Sequence, residues 1–246
     1  MKKQTFVPYY DILPPEQQKC WQLLQNISTL GYVLYGGTAL ALRLGHRQSV
    51  DFDFFTHADL NREALFDAYP FLSYGDRLQD EGNTLTLKID DSDFKSPVKI
   101  SFFGQIDFGR VGVPEIAGES GILVASLDDI MALKLKVLLQ RVEEKDYIDI
   151  AEMIDNGVSL TKGLASASEF FGPSFQPSIA LQTLVWFEDL SEKLLTQKYR
   201  NILVQAVESL RIGTDQTYQQ IQKMSDVLTD DSVTLSICTK NSGRRR

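Results

Sequence analysis

The chain has 246 residues, a formal net charge of −8 and two cysteines, with 43% hydrophobic and 24% charged residues. That length suffices for a proper core in one large domain or two small ones, and the composition is that of an ordinary globular protein. The acidic balance argues against the whole surface attracting a polyanion. No apolar run approaches the roughly 20 residues that span a bilayer, and the opening MKKQTFVPYYDILPP lacks the apolar core of a signal peptide, so a cytoplasmic protein with no membrane partner is expected. Cys20 and Cys238 have no metal-ligand spacing and read as free thiols.

Pro14 and Pro15 open a first helix, where a missing N–H costs nothing, and Cys20, Leu23, Leu24 and Ile27 give it one apolar face, with Gly31 as its end. An apolar strand over 32–35 then runs into Gly36, Gly37 and Thr38, a short helix over 39–44, and the basic turn GHRQS. In the next strand Asp51 and Asp53 alternate with Phe52 and Phe54, so both carboxylates share one face and the phenylalanines the other. Carboxylates so spaced are separated by roughly 6 to 7 Å, which suits one or two hard divalent cations, Mg²⁺ or Mn²⁺, bridging to phosphate oxygens. Glycines that tolerate φ > 0 before a helix N-terminus suit the phosphates themselves. A metal site beside a phosphate cradle is the expectation.

Residues 56–68 read as a loop and helix with Asp59 or Asn61 as the cap, followed by two strands in which Leu85, Leu87 and Ile89, then Val98, Ile100 and Phe102, hold the alternate positions. A strand over 121–125 leads into Ser126, which with Asp129 makes a capping-box-like start to a helix over 127–141. Lys134 and Arg141, seven residues apart, share a face of that helix. In EEKDYIDIAEMI, Asp146 and Asp149 lie on one helical face; acids complementing the helix dipole are the structural alternative, and for Asp149 the preferred one. Arg43, His46, Arg47, Lys134, Lys136, Arg141 and Lys145 are candidates for a local basic patch, although Lys136 reads better as a solvated side chain and His46 as incidental. Asn156 and Gly157 stop the helix, and helices over 163–171, 178–190, 198–212 and 216–228 follow, with Trp186, Phe187 and Tyr199 as core rather than base-stacking residues. The residues from 229 read as a loosely held polar tail.

The run YVLYGGTALALRLGHRQSVDFDFF resembles the Gly-Gly and Asp-x-Asp signature of the DNA polymerase beta-like nucleotidyltransferase superfamily. It is similar above all to the AbiEii/AbiGii-type nucleotidyltransferase toxins, and ALKLKVLLQRVEEKDYIDI matches that family's later Lys, Arg and Lys-Asp-x-x-Asp helices in order. The resemblance implies an α/β fold: a small mixed sheet flanked by helices over 1–125, a helical region over 126–228, and the tail over 229–246. It implies Mg²⁺-dependent transfer of a nucleoside monophosphate from an NTP to an acceptor hydroxyl, an RNA such as a tRNA 3′ end, by a toxin with a cognate antitoxin. Asp51 and Asp53 would hold the metal, and Gly36, Gly37 and Thr38 would seat the triphosphate through backbone N–H groups and a hydroxyl. Arg47 would touch phosphate or fix Asp51, and Lys134, assisted by Arg47 or Arg141, would face the leaving pyrophosphate. Asp146 would orient or deprotonate the acceptor, or hold Lys134. A small-molecule or protein acceptor and a non-catalytic binding role are the alternatives. The chain departs from the superfamily where a third carboxylate commonly stands: the inward residue is Ser101, so either one metal suffices or another acid such as Asp107 approaches from a loop.

Overall fold

The structure, a computed structural model, describes residues 4–92, 94–188, 190–191, 193–211 and 219–220. The expected helix over 216–228, the tail from 229 and Cys238 fall largely or wholly outside these residues. The described elements, in chain order, begin with β1 (Thr5–Phe6), α1 (Pro15–Leu23), β2 (Val33–Tyr35), α2 (Gly36–Leu44), β3 (Asp51–Phe55) and α3 (Arg62–Ala68). They continue with β4 (Asp76–Glu81), β5 (Thr84–Ile89), β6 (Val98–Phe103), β7 (Glu115–Ala117) and β8 (Leu123–Val124). The helices α4 (Leu127–Leu138), α5 (Glu144–Asp155), α6 (Leu160–Phe171), α7 (Pro177–Leu184) and α8 (Gln197–Arg211) complete the order.

All eight strands join one mixed sheet in the order β1-β7-β8-β2-β3-β6-β5-β4. The two motif strands pair antiparallel, with Tyr35 opposite Asp53, and β6 runs parallel to β3 on its other side, with Asp51 opposite Lys99 and Asp53 opposite Ser101. Because side chains alternate across a strand, one face of β3 presents Phe52 and Phe54 and the other Asp51 and Asp53. The phenylalanines are fully buried and pack with Phe102 and, from α1, Trp21. On the opposite face α2 crosses β3 and touches α4 and α5, which brings the helices of the second half over the acidic face.

Several boundaries differ from those read in the sequence. The first helix ends at Leu23, which is 53% exposed, because the chain turns through Asn26 (φ +63°) into a 3-10 turn; Trp21 and Gln17 take the buried positions instead. The helix carrying Lys134 stops at Leu138, where Leu139 and Gln140 bond back to Lys136 and Val137 in a tighter turn, so Arg141 lies beyond the helix. The seventh helix ends at Leu184, and the chain turns so that Phe187 meets the Tyr147 ring at 6.3 Å. Strands β1, β4 and β7 add to the expected set.

Candidate active site

The site is built where β2 turns into α2. Gly36 has φ +75°, a conformation glycine adopts freely, and a Cβ there would come within 2.6 Å of Asp53 Oδ2. A Cβ on Gly37 would sit 2.8 Å from Ser49 Oγ and 3.1 Å from the Arg47 guanidinium. At Gly36 the missing side chain lets the backbone lie against the acidic strand, and at Gly37 it leaves room for Ser49 and the basic turn. Thr38 is fully buried and its hydroxyl donates to the Asp51 carbonyl oxygen, so that hydroxyl ties helix to strand and is not free to meet a phosphate. This corrects the expectation for its side chain; its backbone N–H is a separate group.

Asp51 is paired with Lys99, Nζ to Oδ2 2.9 Å, the residue opposite it on β6. Ser101 is the residue opposite Asp53, and its hydroxyl accepts from Thr86 Oγ1 at 3.4 Å. Burial pushes the Asp53 carboxyl above its ordinary value and the Asp51 charge adds to the rise, while Lys99, Lys134 and the Ser101 hydroxyl work the other way. Two carboxylates beside a glycine backbone supply hard oxygen donors of the kind Mg²⁺ or Mn²⁺ takes, and the pair fits one such ion.

The cations converge from two directions. Arg47 leaves the turn after α2 and grips Asp149 with both ends of its fork, Nε to Oδ1 and Nη2 to Oδ2, each 2.7 Å. It does not bond Asp51. His46 joins the same carboxylate, Nε2 to Oδ1 2.8 Å, with its side chain 1% exposed. Lys134 reaches between Asp146 (2.7 Å) and Asp149 (2.6 Å), and Arg141 caps Asp146 through Nε at 3.0 Å. Both aspartates are fully buried. Burial alone would raise the Asp149 carboxyl, but the His46 hydrogen bond, the Lys134 ammonium and Arg47 outweigh it and hold it well below the usual carboxylate range. The charge of Lys134 acts on Asp53, and that of Asp53 on Arg141, so both cations stand within electrostatic reach of the acidic strand.

The glycines, Asp51, Asp53, Arg47, Lys134, Arg141 and Asp146 thus surround one region of the molecule. Three residues were undervalued in the sequence. Asp149, read as structural, is the anion that joins the basic turn to Lys134. His46, read as incidental, is buried against it. Lys99 shares a face of β6 with Ser101 by period-two alternation, and the parallel register sets it opposite Asp51. Two members of the expected basic patch lie elsewhere: Arg43 binds Glu115 and the carbonyls of Val124 and Ala125, and Lys136 donates to Ser174. Asp107 is exposed in a loop, and among the described residues no three His, Cys, Asp or Glu side chains are grouped to hold a metal ion.

A mixed sheet on which a glycine turn and two strand carboxylates meet is the architecture of a nucleotidyltransferase. Residues 22–222 match the family described as nucleotidyl transferase AbiEii toxin of a type IV toxin–antitoxin system, and the chain belongs to that family. It is 30% identical over 183 residues to an uncharacterised protein of Aquifex aeolicus, covering 70% of this chain and 84% of that one. It shares its fold with MenT4, a nucleotidyltransferase toxin from Mycobacterium tuberculosis, at a TM-score of 0.51 and 16% identity, over 86% of this chain and 82% of the other. Membership makes the protein a nucleotidyltransferase toxin, with an NTP substrate, usually a divalent metal, and an antitoxin partner implied by the family. Among the described residues no helix is long and apolar enough to cross a membrane.

Proposed function

We propose that the protein moves a nucleoside monophosphate from an NTP to a hydroxyl of a cellular RNA, a tRNA 3′ end being the acceptor the sequence resemblance implies. The observation that carries the reading is the contact between Gly36 and Asp53: a left-handed glycine presses the start of α2 against a strand carboxylate, where an anion cradle and a metal ligand serve the same phosphates. A divalent ion held by Asp51 and Asp53 would neutralise phosphate charge and polarise the α-phosphorus.

The chain's own groups do the positioning on which phosphoryl chemistry mostly depends. The backbone N–H groups of the first turn of α2 seat the phosphates. Lys134, fixed between two buried carboxylates, directs its remaining field at the charge that builds on the leaving pyrophosphate, and Arg47 beside Gly37 adds to it. Asp146 has both oxygens occupied by Lys134 and Arg141, which supports a role in holding those cations rather than in taking the acceptor proton. The acceptor oxygen forms its bond to the α-phosphorus as the bond to pyrophosphate breaks, and the hydroxyl proton leaves to solvent. Lys88, Lys99, Arg141 and Lys145 are partly exposed and each is paired with a carboxylate, so a polyanion would draw on them only by displacing Asp76, Asp51 or Glu143.

The test is incubation with each labelled NTP, Mg²⁺ and total cellular RNA. Label is expected in a small RNA fraction and is expected to vanish with Asp51→Ala or Asp53→Ala. Label entering protein or a small molecule instead would reassign the acceptor.

A further inference from the structure

Two-metal phosphoryl-transfer sites hold their ions about 3.5 to 4 Å apart, bridged by shared carboxylates, and each hard cation needs several oxygens. The acidic strand here is flanked by β6, and the residues that β6 sets opposite Asp51 and Asp53 are Lys99 and Ser101. One brings an ammonium to 2.9 Å from Asp51 Oδ2, and the other sets a neutral hydroxyl opposite Asp53. Neither supplies the anionic oxygen that a second ion would require. The neighbouring acids are committed elsewhere. Asp146 and Asp149 are held by Lys134, Arg141, Arg47 and His46, and Asp129 accepts from the backbone N–H groups of Val111 and Gly112 and from Ser126.

We propose that this site takes a single divalent cation with the nucleotide, and that Lys99 stands where a second cation would, supplying its positive charge without its coordination chemistry. The inference rests on the nucleotidyltransferase reading and deepens it. Lys99 is a positioning residue: it neutralises Asp51 before the ion arrives and excludes a second ion by like-charge repulsion. Its side chain is 43% exposed, so it has room to withdraw from Asp51 toward solvent as the ion takes that carboxylate.

Manganese bound to the full chain is counted by electron paramagnetic resonance at saturating non-hydrolysable NTP analogue. One Mn²⁺ per chain is expected. Two per chain would overturn the single-ion assignment and leave nucleotidyl transfer standing; none would overturn both. The double variant Lys99→Ser with Ser101→Asp restores an acid beside Asp53 and removes the ammonium, and is expected to bind two. If it holds one, Lys99 and Ser101 are not what limits the site, and the role given to Lys99 falls. With Mn²⁺ alone, Lys99→Gln is expected to bind about tenfold more tightly because the competing ammonium is gone, a factor that corresponds to roughly 1.4 kcal/mol. Unchanged or weaker binding would overturn the role given to Lys99.

Discussion

Arg47 and Asp149 meet fork to fork, two contacts of 2.7 Å between a turn that follows α2 and a helix about a hundred residues later in the chain. The same carboxylate holds Lys134 and His46, so one buried anion sets the position of three cationic or polar groups beside the glycine turn. Removing one partner of a buried ionic network leaves the others uncompensated, which costs about 3 to 5 kcal/mol. Asp149→Ala is therefore expected to lower the thermal midpoint by roughly 6 °C or more for a chain of this size and to cost transfer activity even in the fraction that remains folded. A melting curve within about 2 °C of the wild type would show that water replaces the carboxylate at little cost.

The same residue sets an acid limit. Its folded carboxyl lies below the ordinary value, so the stabilisation it gives is fully present above the unfolded carboxylate pKa of about 4 and is lost as pH falls toward the folded value. Urea midpoints measured between pH 7 and pH 3 are expected to hold level and then fall below about pH 4. In Asp149→Asn, which starts lower, that fall is expected to be shallower. Parallel acid limbs in the two proteins would assign the acid sensitivity to other carboxylates.

Gly36→Ala tests the contact between the turn and the strand. A β-carbon would overlap Asp53 Oδ2 at 2.6 Å, and the backbone already sits at φ +75°, where a residue with a side chain pays roughly 1 to 2 kcal/mol. The expected result is a stability loss of that order together with a fall in transfer activity of at least about 10²-fold, since small misplacements of reacting groups cost that much. Loss of stability with activity intact would separate the glycine from the chemistry.

The alternation of acids and phenylalanines on β3 was legible because a strand's period is local, and the glycine turn was legible because only glycine tolerates that backbone. What pairs with β3 is only partly legible: alternation puts Lys99 and Ser101 on one face of VKISFF, but the parallel register that sets Lys99 opposite Asp51 comes from the fold. Edge strand β4, DRLQDE, is mostly exposed and carries no apolar alternation to mark it as a strand. The burial of Asp149 is hidden from the sequence for a related reason. Acids in the first two turns of a helix are usually there for its dipole, and only the fold reveals that a turn from the first half of the chain supplies the guanidinium and imidazole that justify burying it.

Asp53 should be a residue that the fold would rather not ionise. Burial, with the Asp51 charge beside it, raises its carboxyl above the ordinary value against the opposing pull of Lys99, Lys134 and Ser101. A carboxyl raised in the folded state is the reverse of Asp149: the protein loses stability as pH climbs through the unfolded toward the folded value, and the penalty stays in full above both. Neutralising the side chain while keeping its shape removes that penalty. Asp53→Asn, melted at pH 7 without divalent ions, is expected to gain about 2 to 4 °C, equivalent to roughly 1 kcal/mol at this chain length, while transfer of label to RNA falls to background. Added Mn²⁺ is expected to stabilise the wild type by mass action and to leave the variant unmoved. A variant that melts lower than the wild type would mean that the pull of Lys99, Lys134 and Ser101 already outweighs burial, and that Asp53 supports the fold as well as the chemistry.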